Sequence, residues 1–206
     1  MKERPILFTG PMVRAILEGR KTVTRRAVKD TGFYAIDATI HGNEVALRER
    51  EALSTRCPFG QPDDRLWVRE AWAADAQVDA IAPRDLSQGE PIWYPADFSV
   101  RQTGCSMISK GRGRPSIHMP RWASRILLEI TAVRIERLQD ISEEQALAEG
   151  VRGEPCDHAR QACADIGCWG DTAKGAFGFL WESLNGEGSW AANPWVWVVE
   201  FKRVTP

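Results

Sequence analysis

The chain of 206 residues carries 27 Lys/Arg against 28 Asp/Glu, a formal charge of −1. That length fits one domain of about 100–200 residues, or two very small ones, and its 43% hydrophobic and 27% charged residues are ordinary for a chain that buries a core. No apolar run reaches the ~18 residues of a membrane-spanning helix. The start, MKERPILFTGPMVRAIL, lacks the apolar h-region and small-residue cleavage site of a signal peptide, so a cytoplasmic location and no membrane partner are expected.

Five cysteines, an odd number, without a secretory signal argue against a disulfide framework and for free thiols or a metal site. Nine tryptophans against two tyrosines is a heavy indole load. The near-neutral charge is an average: residues 1–29 hold eight Lys/Arg and two Glu, residues 101–125 hold six Lys/Arg and no acid, and residues 126–160 hold four basic and eight acidic residues. Two basic segments can present an anion-binding face toward nucleotides or nucleic acid, or can simply solvate loops.

In chain order, Pro5–Phe8 reads as a short strand. Pro11 suits a first helical turn, Met12, Ala15, Ile16 and Leu17 give an apolar face, and Gly19 is a stop. From Lys21 the chain turns β-rich through Thr22, Val23 and Thr24. Tyr34–Ile40 and Glu44–Arg48 alternate around His41-Gly42-Asn43, a hairpin signal. Residues 51–63 read as irregular. Arg65–Trp72 reads as a buried strand with a polar end. Residues 73–114 are weakly periodic, apart from a strand at Ile92–Tyr94, and read as a long functional excursion. Arg125–Leu138 alternates as the clearest strand, Glu143–Glu149 forms a helix capped by Ser142 and stopped by Gly150, and residues 151–171 read as loop. Ala173–Leu184 is amphipathic, with Phe177, Leu180, Trp181 and Leu184 at helical spacing, and Trp195–Val204 closes the chain as an apolar strand. Short strands with interspersed helices point to an α+β fold with a small curved or barrel-like sheet.

Four constellations carry candidate chemistry. In Gly19-Arg20-Lys21-Thr22-Val23-Thr24-Arg25-Arg26 a helix stop runs into one ammonium, two hydroxyls and three guanidiniums. Such a corner can bind an anion, can hold a nucleophile beside a base once burial lowers the Lys pKa, or can be a solvated strand edge. Glu70, at the end of the Arg65–Trp72 strand, either accepts from a base edge or pairs with a nearby Arg. Arg121 and Trp122 join a guanidinium to an indole, a combination that holds phosphate and stacks a base; Trp122 fits a packing role equally. Finally, Cys156, His158, Cys163 and Cys168 offer four soft ligands for a structural zinc, though without the paired-cysteine knuckle of common zinc sites.

The run Pro5–Arg26 ending in GRKTVTRR resembles the opening signature of the ASCH family, whose members share a PUA-like β-barrel. PDDRLWVREAW at 62–72 resembles the family strand Gly-Asp-x-Leu-x-Val-Arg-Glu, with Asp63 in place of Gly. Residues 117–151 resemble the central strand and following helix, and residues 179–204 the closing segment of the larger, phage- and prophage-associated members. The likeness covers about half the chain and implies a single domain over 1–206, with insertions at about 73–114 and 151–171. One branch of the family removes the acyl group from N4-acetylcytidine without a catalytic metal. Matched by motif, its catalytic Lys and Thr fall on Lys21 and Thr24, its Glu on Glu149 and its final Arg on Arg26, with Arg26, Glu70, Arg121 and Trp122 as substrate-binding candidates. Other branches are RNA-binding modules or are associated with RNA cleavage, so the same basic cleft also fits a non-catalytic RNA- or DNA-binding module or a metal-independent ribonuclease. The sequence holds no compact acidic cluster of the kind a two-metal nuclease uses.

Overall fold

The computed structural model describes residues 1–29, 36, 42–102, 104–152 and 172–204. Among the described residues seven strands are formed: β1 Glu3–Leu7, β2 Val23–Ala27, β3 Arg65–Arg69, β4 Ile92–Tyr94, β5 Ser99–Arg101, β6 Leu127–Arg137 and β7 Trp195–Arg203. Among the described residues four α-helices accompany them: α1 Gly10–Leu17, α2 Asn43–Ser54, α3 Glu143–Ala148 and α4 Ala173–Asn185. The fold is α+β. Hydrogen-bonded neighbours in the five-stranded sheet run β1-β3-β6-β7-β2, an open order, and β4-β5 form a separate two-stranded ribbon.

The chain divides into two compact units, each drawn from separate stretches of sequence. The first comprises Met1–Glu18, Asp63–Glu129 and Lys202–Pro206, the second Gly19–Pro62 and Ile130–Phe201. In the first unit β1 lies parallel to β3, with Pro5 opposite Trp67, and β3 pairs antiparallel with the start of β6, with Leu66 opposite Leu128. Helix α1 begins with Pro11 in its first turn, where a missing N–H costs nothing, and buries Val13, Ala15 and Ile16. The excursion at 73–114 is ordered rather than loose. Its apolar residues are spaced for no regular element, yet Trp72, Ala74, Leu86, Ile92 and Tyr94 gather with Met119 and Ala123 into their own cluster. Isolated bridges tie Ala73 to Trp93 and Asp75 to Lys110.

In the second unit β2 pairs antiparallel with β7, Val23 opposite Glu200 and Arg25 opposite Val198. Side chains alternate along a strand, so Val23, Arg25 and Ala27 share one face. Val23 there joins Val196, Val198, Leu138, Ile141 and Ala146 with Phe177, Trp181 and Trp190, and Ala27 packs against the cluster. Ser142 caps α3: its hydroxyl accepts from the Gln145 N–H while the Gln145 side chain accepts from the Ser142 N–H. Glu143 reaches across to accept from the Ala173 N–H at 2.8 Å, capping α4 beside Thr172.

One predicted element changes type. Glu44–Arg48, expected as the second arm of a hairpin, lies inside α2, which also takes in residues 51–54. The alternation of Val45 and Leu47 is misleading, because both are exposed; Ala46 and Leu53, seven residues apart on one helical face, are buried. The Glu, Ala, Leu and Arg content of the segment favours helix in its own right. The other arm, Tyr34–Ile40, lies outside the described residues except for Ile36, whose carbonyl accepts from Arg50 at 2.9 Å.

Candidate functional site

The polar centre of the second unit is built where two backbone stops bring distant segments together. Gly19, at φ +76°, ends the turn after α1, and Gly150, at φ +88°, ends the turn after α3. Both conformations are left-handed, where a side chain is strained and glycine is not. The Thr22 N–H donates to the Ala148 carbonyl at 2.9 Å, and the Phe201 N–H donates to the Thr22 carbonyl at 2.9 Å. Lys21 and Glu149, flanking that join, therefore face one another.

Lys21 is 2% exposed and Glu149 3% exposed. The Lys21 ammonium donates to Glu149 Oε2 at 2.6 Å, to the Glu149 carbonyl at 2.9 Å and to the Val23 carbonyl at 2.8 Å. All three donors of the ammonium are used. The Glu149 carbonyl is one of the outward-pointing carbonyls at the end of α3, so the cation also meets the negative end of that helix. Arg20 adds a second cation there, donating to the Gly150 carbonyl at 2.7 Å. Burial pushes the Lys21 pKa below its ordinary value of 10.5, with Glu149 opposing the shift and Arg26 and Arg25 adding to it.

Arg25, buried on the helix-facing side of β2, fans across three acceptors: Glu149 Oε1 at 3.3 Å, Glu136 Oε2 at 3.2 Å and Gln145 Oε1 at 2.9 Å. Its guanidinium lies 6.0 Å from the centre of the Phe177 ring. Arg134 binds both Glu136 and Glu200, extending the network along β6 and β7. A cavity of about 260 Å³ opens beside these groups, lined by Thr22, Thr131, Arg134, Gln145, Ala148 and Glu200 among others. Lys21 and Glu149 are the chain neighbours of Thr22 and Ala148 in its wall. Thr24 is buried on β2, opposite Val199 in register, and by alternation shares a face with Arg26 rather than with Arg25. Burial lowers the Arg26 pKa, and Glu149 partly offsets this, which places Arg26 in the field of the same carboxylate.

The structure thus joins Lys21 to Glu149 across 128 residues of sequence and sets Thr24 three residues along from Lys21. Glu136, Gln145, Arg134 and Glu200 are additional members that the sequence does not single out, and Arg25 joins them from within the basic run 19–26. The available signal was parity: Arg25 alternates with Val23 and Ala27, so a guanidinium on the apolar face had to find acceptors there.

Glu70, Arg121 and Trp122 belong to the first unit. Glu70 takes a two-pronged ion pair from Arg125, at 2.9 and 3.0 Å, and the same guanidinium reaches Asp97 at 2.8 Å and Ser99 at 2.6 Å. Arg125 also stacks 4.0 Å from the centre of the Tyr94 ring, and the Tyr94 hydroxyl donates to the Ala123 carbonyl. Burial raises the Glu70 pKa, opposed by Arg125. Burial raises Asp97 as well, but hydrogen bonds from Arg125 and Ser99 outweigh it and hold Asp97 at about 2. Arg121 pairs with Glu3 at 2.9 Å on the surface, and Trp122 packs against the Trp72 cluster with Arg101 5.8 Å from its ring centre.

Cys156, His158, Cys163 and Cys168 lie outside the described residues. Among the described residues no three His, Cys, Asp or Glu side chains group in a way that holds a metal ion, and no helix is long and apolar enough to cross a membrane. Compared with known proteins, the chain matches no protein-family model, no curated protein and no solved structure.

Proposed function

We propose that this chain is an ASCH-type protein of PUA-like architecture that recognises a nucleoside or modified nucleobase and hydrolyses the N4-acyl amide of N4-acetylcytidine-like substrates. The observation that carries the reading is the buried contact of 2.6 Å between Lys21 Nζ and Glu149 Oε2, three residues from Thr24. A primary amine acts as a base only when something lowers its pKa or removes its proton. Here burial supplies the first, and Glu149 is within reach to accept the proton.

In the proposed reaction Thr24 Oγ attacks the exocyclic amide carbonyl while neutral Lys21 takes the hydroxyl proton. The tetrahedral intermediate collapses by breaking the C–N bond, Lys21 returns the proton to the leaving N4 amine, and cytidine departs. Water then attacks the acyl-threonine ester, with its proton taken by Lys21, releasing the carboxylic acid and restoring Thr24. Glu149 orients Lys21 and buffers its proton throughout. No metal is required at any step. A structural zinc on Cys156, His158, Cys163 and Cys168 is part of the proposal, and metal analysis of wild type against Cys163→Ser tests it.

The catalytic test follows the loss of the acylated base's absorbance when purified protein meets N4-acetylcytidine. Thr24→Ser should retain turnover, and Thr24→Val should reduce it by about 10²-fold or more, the scale on which a positioned catalytic group acts. Wild-type protein without turnover, or Thr24→Val as active as wild type, sinks the reading. One observation favours a second reading, a non-catalytic RNA-binding module: in the first unit cations stack on indoles at Arg69–Trp67, Arg101–Trp122 and Lys110–Trp93. Inactive protein that binds single-stranded RNA with a steep salt dependence would select it.

A further inference from the structure

The first unit carries a second opening that the amidase reading does not use. Residues of the 73–114 excursion and of the turn 115–120 meet the end of β3 around a cavity of about 300 Å³, lined by Arg69, Pro83, Arg84, Ile117, His118 and Pro120 among others. That is the lower end of the range of small-molecule sites, about 300–1,000 Å³, large enough for a single nucleotide.

Its polar side chains, Arg69, Arg84 and His118, all carry N–H donors. Arg69 closes β3, and its guanidinium lies 4.7 Å from the centre of the Trp67 ring, two residues back on the same strand face. Stacking on an indole fixes the plane of a guanidinium. Among the described residues the buried Arg69 Nε has no hydrogen-bond partner. The nearby carboxylates are committed elsewhere: Glu70 to Arg125 and Glu3 to Arg121. Among the described residues Arg84 pairs with Asp85 alone, at 3.6 Å and with both side chains largely exposed, an ion pair of little strength. His118 adds a ring N–H. A held but uncompensated guanidinium, a second guanidinium and an imidazole converge on one opening, which suits an anion with several oxygens. The remaining wall, Pro83, Ile117 and Pro120, is apolar and suits the flat face of a base.

We propose that this cavity binds a nucleoside monophosphate, with the phosphate on Arg69, Arg84 and His118 and the base against Pro83, Ile117 and Pro120. Trp67 holds Arg69 in place from behind. The site is built entirely from the first unit and stands independently of the chemistry at Lys21.

The test is titration calorimetry of the full chain with adenosine 5′-monophosphate, adenosine and inorganic phosphate in parallel. Adenine keeps the measurement clear of a cytidine-specific reaction. Adenosine monophosphate should bind at least tenfold more tightly than either adenosine or phosphate. Arg69→Ala should weaken it at least tenfold, and Arg69→Lys, which keeps the charge but loses the planar fork, should weaken it severalfold. Circular dichroism and thermal melting establish that both variants are folded; if Arg69→Ala is not, Arg69→Lys and Arg84→Ala carry the test. Thr24→Val should bind as wild type does. Absent binding at millimolar nucleotide, binding unchanged in the folded Arg69 variants, or phosphate binding as tightly as the nucleotide would each overturn the proposal.

Discussion

Glu149→Gln probes the polar centre most directly. The substitution keeps shape and removes one charge, leaving Lys21, 2% exposed, and Arg25 with no carboxylate at that position. Breaking a buried ion pair from one side costs about 3–5 kcal/mol. An independent ceiling comes from letting Lys21 lose its proton instead: at pH 7, some 3.5 units below its ordinary value of 10.5, deprotonation costs about 5 kcal/mol. The two figures agree. For a chain of about 200 residues this lowers Tm by roughly 10 °C.

The pH dependence has a definite sign. A lysine whose folded-state pKa is depressed binds fewer protons folded than unfolded, so its contribution to stability is complete above 10.5 and is lost as pH falls toward the folded value. The deficit of Glu149→Gln should therefore shrink between pH 7 and pH 9, by up to about 1.4 kcal/mol per pH unit. Lys21→Met with Glu149→Gln should recover most of the loss and abolish the extra slope. Urea unfolding followed by tryptophan fluorescence at the two pH values measures all of this. A Glu149→Gln deficit under about 1 kcal/mol, or one independent of pH, refutes the reasoning.

Ser142→Ala removes the hydroxyl that caps α3 and should cost about 1 kcal/mol in urea unfolding; because α3 carries Gln145 and leads into Glu149, any turnover measured in the test of the proposed amidase should fall with it. Asp97→Asn removes a carboxylate held at about 2 against an ordinary 3.8. A depressed acid contributes its stability above its unfolded value and loses it as pH falls, so between about pH 4 and pH 2 wild type should lose roughly 1 kcal/mol more than Asp97→Asn, after allowance for the partial exposure of the site. In Gly111→Ala the new Cβ would stand 2.4 Å from Asp79 Oδ1 and 2.9 Å from the Ala74 carbonyl oxygen. The backbone contact cannot swing aside, so Tm should fall, by about 1–3 kcal/mol in stability terms.

Where periodicity and punctuation agreed, the fold could be read from the sequence. Pro11 and Gly19 bracket α1, Ser142 and Gly150 bracket α3, and the alternation along 127–137 becomes β6. It failed where two periods competed. Val45 and Leu47 alternate as a strand would, while Ala46 and Leu53 repeat as a helix does, and only the second pair found an apolar partner surface. The 73–114 stretch resisted reading because its core comes from turns and bridges, whose apolar residues follow no period. At the polar centre, Lys21 and Glu149 were singled out by motif likeness, but their direct contact depends on which strand meets which helix end. Glu136, and the pairing of Arg25 with it, stay hidden for the same reason: a buried network is a property of partners, and these two lie 111 residues apart.

The distance in sequence between Lys21 and Glu149 also has a meaning in time. A ribosome adds about 5–20 residues per second, so the 128 residues between the two take roughly ten seconds to synthesise. Through that interval the lysine and its neighbouring arginines are present without the carboxylate that will neutralise them, and no buried place exists to put them. Water must keep these cations until α3 emerges, and the second unit closes on them only when β7 is made. The polar centre thus assembles only after residue 149 and β7 have been made, and an arrest in synthesis before residue 149 leaves its lysine and arginines without Glu149.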